Sequence, residues 1–406
     1  MSYRRSLVVL MLMLAVLFAA CASAAGGDPP AQMREIETTT AETTTETTTE
    51  ETTTEKLLTP VDVNVMMIGD MLLHTNVQKS GIMSDGSYNY DHLFEHIQEE
   101  IEWADLAVVN QEVIIGGKAI GIKSYPCFNC VEEVGDAIVK AGFNVVLHAT
   151  NHTWDMGEKG LTNCLNYWKE NHPEEIVLGV HATQEDADKI TVWEKDGFKI
   201  AMLNYTYGLN GFKVTQGKEY LVDLLDKDKV TDDIRRAKEQ ADFVIVFPHW
   251  GTEYTFKADE MQTEWAQLFA AEGVDLVIGA HPHVVEPVEW VESSQGNRTL
   301  VYYSLGNYVS AQDKAYTMLG GMAKVTIHRD EHGEVSISSY DAVPLVTHRG
   351  DGSAKSFGTY ILTEYPESKA KKNKVIAKDS RFSIEYVTNL WNKTMGEEFA
   401  IQTDGE

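Results

Sequence analysis

The chain predicts an α/β fold, and three observations lead there. Short apolar, β-branched runs recur along it, helix-like stretches alternate with them, and about 350 residues follow an N-terminal low-complexity tract without a second Pro/Gly/Ser-rich linker. Strand-like and helix-like segments in alternation imply sheets covered by helices. In order, Val65–Gly69, Leu106–Val109, Val145–Leu147, Phe243–Phe247 and Val277–Ile278 read as buried strands, each short and bounded by turn residues. Tyr302–Leu305 reads as another strand. Val131–Ala141, Thr231–Gln240 and Met261–Glu272 read as helices, and Phe382–Asn392 as a short closing helix on the same domain.

The chemistry gathers where the strand-like runs end. The first leads into Asp70, with His74 four residues on; the second into Asn110 and Glu112; the third into Asn151 and His152, followed by Asp155. The fourth leads into His249, Trp250 and Glu253, and the fifth into the pair His281-Pro282-His283. Imidazole is the commonest metal ligand near neutral pH, and the turn after a buried strand holds its ligands rigidly. Alone, the His281/His283 pair is equally well read as two exposed loop histidines; five strand ends carrying compatible side chains favour a metal site. A mixture of His nitrogen, carboxylate and Asn oxygen, without thiolate, suits Zn, Mn or Fe. More candidates are present than one tetrahedral ion needs, so two divalent ions sharing a carboxylate is the economical arrangement.

As a set, Gly69-Asp70-Met71-Leu72-Leu73-His74, Asn110-Gln111-Glu112, Ala149 to Gly157, Pro248 to Tyr254, Gly279 to His283 and Ser304 to Tyr308 resemble the CapA family, which is associated with poly-γ-glutamate capsule synthesis and is similar to the calcineurin-like metallophosphoesterases. The resemblance implies a four-layer sandwich of two β-sheets flanked by helices. It also implies roles: Asp70, His74 and His283 on one ion, Glu112 bridging, Asn151, His249 and His281 on the other. His152 would then be a general acid oriented by Asp155. Asn110, Trp250, Glu253 and Asn307 become substrate or supporting contacts, with Trp250 and Tyr254 read equally as pocket wall or as cover for the sheet end. The pattern departs from ordinary metallophosphatases in placing three residues rather than one between Asp70 and His74, and Glu112 where Asp is usual. Thr150 and Gln111 stand where the family more often has Asn and Leu.

Four regions follow: residues 1–24 as a signal peptide, 25–59 as a disordered Thr/Glu-rich linker, 60–350 as the CapA-like domain and 351–406 as an extension packing on it. Arg4 and Arg5 precede an apolar run from Leu7 to Ala20, which fits a secretory signal and is short for a membrane-spanning helix. Ala19-Ala20-Cys21 resembles a lipoprotein cleavage site, with Cys21 lipidated and the protein tethered outside the membrane; Ala22-Ser23-Ala24 offers ordinary cleavage and secretion instead. The Thr triplets of residues 37–55 carry too little apolar surface to offset chain entropy.

Net charge is −28, from 34 Lys and Arg against 62 Asp and Glu. Such a surface argues against nucleic acid as partner and against broad electrostatic capture of polyglutamate, so an anionic polymer or phosphoester would have to be recognised locally. Lys123, Arg235 and Arg236 are candidates, although Arg235-Arg236 reads first as a solvated helix face. Cys127 and Cys130 form either a disulfide or an unbonded turn, with Cys164 left over. Asp91, His92 and His96 read as a surface amphipathic helix. Two functions fit: a cell-surface participant in capsule or exopolymer assembly and export, working with membrane-bound synthesis proteins, or a secreted metal-dependent phosphoesterase or polymer hydrolase with no capsule role.

Overall fold

In the computed structural model, which describes residues 57–402, alternation of side chains along the strands builds two sheets face to face. The strands are β1 (Val61–Met71), β2 (Leu106–Asn110), β3 (Val145–Leu147), β4 (Ile176–Leu178), β5 (Thr191–Lys195), β6 (Phe198–Thr206), β7 (Phe243–His249), β8 (Leu276–Ile278), β9 (Val288–Glu292), β10 (Arg298–Tyr302), β11 (Asn307–Val309), β12 (Leu319–Arg329), β13 (Val335–His348) and β14 (Gly358–Ile361). The helices are α1 (Thr75–Ser80), α2 (Gln98–Trp103), α3 (Glu133–Ala141), α4 (Gly157–Asn171), α5 (Gln184–Ala187), α6 (Lys227–Gln240), α7 (Glu260–Glu272), α8 (Glu367–Ala370) and α9 (Ile384–Met395).

One sheet has 8 strands, ordered β14-β13-β12-β1-β2-β3-β4 with β11 beside β1; the other has 6, ordered β5-β6-β7-β8-β10-β9. Val63, Val65 and Met67 of β1 and Phe243, Ile245 and Phe247 of β7 share the core between the sheets. Met66 and Ile68 face the opposite way, onto α2 and α3, while Val244 and Val246 face α6 and α7. Three apolar layers between four layers of structure follow from that period of two. The four-layer expectation is met. Val387 and Trp391 of α9 join the central core.

Parity also delivers the site. Leu106 and Val108 face inward, and Asn110 continues their face; Phe243, Ile245 and Phe247 face inward, and His249 continues theirs. β1 needs an irregularity to do the same. Its register against β2 shifts between Ile68 and Asp70, a feature that re-aims side chains. Gly69 permits the turn for a reason other than backbone freedom: a Cβ there would lie 2.0 Å from Gly306 O. The parallel strands β1 to β4 and β6 to β8 therefore send their carboxyl ends toward one edge, where open α/β sheets bind ligands.

Two readings of the sequence change, and one left open is decided. The Tyr302–Leu305 strand ends at Tyr302, and Asn307 begins β11, which crosses to pair with β1 in the other sheet. Asp91–Leu93 is a single 3-10 turn rather than a helix, because His92 is buried with Nε2 3.1 Å from Ser80 Oγ, and the ring of His96 stacks on Tyr360. Cys127, Cys130 and Cys164 are free thiols, with Cys130 Sγ 3.5 Å from Ile114 O. Arg235 pairs with Glu272 and Arg236 with Asp232 on the exposed side of α6. Among the described residues no helix is long and apolar enough to cross a membrane. The signal, Cys21 and nearly all of the Thr/Glu tract lie outside the described residues.

Candidate metal centre

Glu112 sits at the middle of the converging strand ends, buried, with neither carboxylate oxygen hydrogen bonded. Its Oε1 is 3.7 Å from His249 Nε2, 3.9 Å from His283 Nε2 and 3.9 Å from His152 Nε2. These separations exceed hydrogen-bond length and suit atoms that each stand about 2 Å from a shared ion. Among the described residues, two triads bring their ligand atoms within 4.8 Å of one another: Asp70, Glu112 and His283, and Glu112, His249 and His281. Both contain Glu112. A buried carboxylate left bare costs several kcal/mol unless a cation compensates it. Burial accordingly pushes Glu112 well above the ordinary carboxylate range, with His283 opposing.

Two of the imidazoles, His249 and His281, are set up to offer lone pairs; burial lowers the pKa of His283, but the carboxylates of Glu112 and Asp70 outweigh burial and raise it to about 9. Burial, then the neighbouring histidines, push His249 and His281 well below the usual imidazole range, and His281 Nδ1 is buried without a partner. Asn151 Oδ1 lies 3.1 Å from His249 Nε2. Asn110 Nδ2 donates to Asp70 Oδ1 at 2.7 Å and lies 3.4 Å from His249 Nδ1, tying one sheet to the other beneath the ligands. The backbone of His281 has φ +106° and that of His283 +58°. Non-glycine residues in that region cost on the order of 1–3 kcal/mol each and persist where surrounding structure over-determines them, as at functional sites.

His74 reaches the same cavity without entering either triad. Its Nδ1 lies 3.2 Å from Leu72 O and 3.3 Å from Ala311 N. Nδ1 can donate to Leu72 O or accept from Ala311 N–H, not both; the first tautomer leaves Nε2 its lone pair, the arrangement by which ligating imidazoles are oriented. Burial pulls its pKa down to about 4. His152 Nδ1 is held by Asp155 Oδ2 at 2.7 Å, and its ring meets Phe128 edge-on at 4.8 Å. Thr150 explains its own departure from the family pattern: its hydroxyl donates to Glu112 O at 2.9 Å and accepts from His152 N at 3.2 Å, clamping the Glu112 loop to the His152 loop.

Of the supporting candidates, Asn307 is buried and donates to His283 O at 3.3 Å, and Glu253 and Tyr254 line a cavity of about 670 Å³ beside the triads. Trp250 does not. It is fully buried against Phe269 and Tyr303 in the outer core, with Nε1 donating to Tyr303 O at 2.9 Å, so it covers the sheet end. Lys123 is exposed and does not line the cavity.

Sequence reasoning passed over the loop after β6. There Tyr207 places its ring 4.6 Å from His281, and Asn210, at φ +50°, receives a hydrogen bond from Asn151 at 3.3 Å and lies 3.4 Å from His152 Nδ1. The signal was present: Ile200-Ala201-Met202-Leu203 is an apolar run ending in Asn204, and Asn210-Gly211 is a turn pair. Phe128 and Gln312 complete the wall.

Comparison with known proteins places this geometry. The chain is 27% identical over 300 residues to the capsule biosynthesis protein CapA of Bacillus anthracis, covering 71% of this chain and 68% of that one. It is 30% identical over 208 residues to the PGA biosynthesis protein CapA of Bacillus subtilis (strain 168), about half of each chain. Among solved structures, the NAD nucleotidase of Haemophilus influenzae aligns at TM-score 0.43 and 12% identity over 82% of this chain and 60% of that one. The 5'-nucleotidase precursor of Thermus thermophilus aligns at TM-score 0.42 and 12% identity over 70% and 54%. The model of the bacterial capsule synthesis protein PGA_cap family matches residues 64–312, a span that contains both triads, His74, Asn151 and the His152–Asp155 pair, and the chain belongs to that family.

Proposed function

We propose that this protein takes part in poly-γ-glutamate capsule or exopolymer biosynthesis or export at the outer face of the bacterial membrane, through a centre holding two divalent ions. The names of the two CapA relatives support the capsule role. The observation that carries the centre is Glu112, a buried carboxylate without a hydrogen bond, belonging to two ligand triads at once. Asp70 and His283, with His74 beside them, would hold one ion; His249, His281 and Asn151 the other. The nitrogen and oxygen donors fit Mn, Zn or Fe. Bound there, the ions would supply Lewis acidity toward a phosphoryl or carbonyl oxygen.

The chain's own residues do the rest. Asp155 fixes the tautomer of His152 by taking Nδ1–H, which leaves Nε2 facing the cavity to hold or deliver a proton to a leaving oxygen. Glu253, Tyr254 and Asn210 line the approach. The His152–Asp155 pair also favours a second reading, hydrolysis of a phosphoester or polymer amide without a capsule role.

Elemental analysis of the purified chain tests the centre. Two ions per chain, falling in Glu112→Gln and in the double variant His281→Ala/His283→Ala but not in His152→Ala, is the expected result. An unchanged load in the first two sinks it. Turnover of a phosphomonoester, a phosphodiester and polyglutamate by the loaded protein, lost in His152→Ala, separates catalysis from binding alone.

A further inference from the structure

We infer that a lysine-lined cavity beside β13, β14 and α8 is a binding site for the carboxylates of an anionic polymer chain, a reading that takes its ligand from the capsule role proposed above. The cavity measures about 640 Å³ and is walled by Lys355, Lys369, Lys371, Lys372 and Lys374, with Asp351 the one acidic side chain among its lining residues. In a chain of net charge −28 this is a local inversion of sign. Asp351 is already engaged by the Ser353 backbone N–H at 2.9 Å and hydroxyl at 2.6 Å. Lys371 pairs with Glu367 at 3.6 Å and Lys369 Nζ donates to the Tyr360 hydroxyl, while among the described residues Lys355, Lys369, Lys372 and Lys374 have no carboxylate within ion-pair reach.

The cluster is built, since two separate chain segments are anchored to make it. Asn373, buried in the middle of the lysine run, donates to Thr347 O at 3.0 Å, and Lys374 N donates to Arg349 O at 2.9 Å, pinning the run to the end of β13. Lys355 N donates to Ser80 O at 2.8 Å, bringing the second segment against α1. The half-buried ring of His348 registers the field: burial, then Lys369 and Lys374, lower its pKa to about 4. Like charges held together with too few counter-charges repel, and a bound polyanion removes that cost.

The ligand class follows from the residue type. All five cations lining the cavity are lysines, compact hydrated charges on flexible stems, without the planar fork that grips a single phosphate or carboxylate bidentately. They suit a chain presenting many carboxylates in turn. Position suits it as well: α1, against which Lys355 is pinned, begins at the residue after His74, so the cavity abuts the element leading from the metal centre.

The test measures binding of a labelled oligo-γ-glutamate to the purified, metal-loaded chain at low and moderate salt. The variant Lys369→Gln/Lys372→Gln/Lys374→Gln is compared with a control, Lys159→Gln/Lys227→Gln/Lys393→Gln, which removes equal charge from exposed lysines elsewhere. The cavity variant is expected to bind about tenfold more weakly, as loss of three partly screened pairs implies, with a shallower salt dependence and an unchanged metal load and melting temperature. The control should bind like the parent. Equal binding by both variants, equal weakening in both, comparable binding of neutral poly-γ-glutamine, or lysine-dependent binding to phosphatidylglycerol vesicles in place of the oligomer overturns the assignment. If the parent binds the oligomer and the cavity variant binds it equally, this site falls and the capsule reading stands. If the parent does not bind it at all, both fall.

Discussion

His152 Nδ1 and Asp155 Oδ2 are 2.7 Å apart, and the same carboxylate oxygen takes the backbone N–H of Phe128 at 2.6 Å. The carboxylate thus fixes a ring tautomer and a loop position together. Asp155→Asn keeps the shape but offers an amide, which cannot accept both hydrogens as well. Turnover is expected to drop by about 10²-fold or more, the scale of lost general acid catalysis, with the metal load unchanged. Single-turnover kinetics beside elemental analysis checks both. Loss of metal along with rate would mean the pair only supports the ligand loop.

Gly69 predicts a structural failure with a functional readout. Its missing Cβ leaves room for Gly306 O, 2.0 Å from where that carbon would stand, and Asp70 N donates to the same Gly306 O at 2.9 Å. Backbone on both sides cannot yield cheaply. Gly69→Ala should therefore destabilise the fold by about 1–3 kcal/mol, as overpacking does, and weaken metal binding by displacing Asp70. Urea unfolding and metal titration measure the two effects; an unaltered midpoint would refute the close approach.

Glu286 predicts a pH dependence. It is fully buried, accepts from Gln262 Nε2 at 2.6 Å, and leaves Oε1 without a partner. Burial raises its pKa from 4.5 to about 8, Gln262 opposing. The folded state therefore holds a proton that the unfolded state has released between these values, and stability falls as pH climbs through that window, by up to about 1.4 kcal/mol per pH unit. Glu286→Gln removes the dependence. Its advantage over the parent should be absent near pH 4, grow through pH 8 and then level off. Parallel melting curves at several pH values suffice; a constant offset would mean that Glu286 does not titrate there.

How legible this was depends on range. Strands such as Val145–Leu147 and helices such as α6 follow from local periodicity, and the strand ends that carry candidate ligands such as Asp70 and His249 follow from where the apolar runs stop. What local pattern does not contain is direction at a distance. Asn110 meets His249 across 139 residues, and His283 meets Asp70 across 213. Trp250 follows His249 in sequence, yet alternation turns it to the opposite face of the sheet, into the outer core. Tyr207 and Asn210 lie beyond a strand whose pairing with β7 is what carries them to the site. His92 failed as a helix surface because Ser80, 12 residues away, gives its ring a buried partner.

Asn307 predicts how much the candidate metal centre depends on a residue that, among the described residues, hydrogen bonds to none of its candidate ligand side chains. Its Nδ2 lies 3.3 Å from His283 O, 2.8 Å from Gln312 Oε1 and 3.1 Å from Thr317 O, so two amide hydrogens are shared among three acceptors and secure the backbone that carries His283 at φ +58°. Asn307→Asp preserves volume and puts an acceptor, or a charge, where a donor is required. Asn307→Ala merely removes the donor and leaves three oxygens to find water. The aspartate variant should be the worse of the two, weakening metal binding by about 10–100-fold, the range for lost supporting contacts, and lowering stability by more than the roughly 1–3 kcal/mol of an unmade buried hydrogen bond. Metal dissociation constants and melting temperatures of both variants decide the matter. An aspartate variant indistinguishable from the parent, with only the alanine variant impaired, would show that Asn307 acts through volume alone, because only a hydrogen-bonding role distinguishes a donor from an acceptor of the same shape.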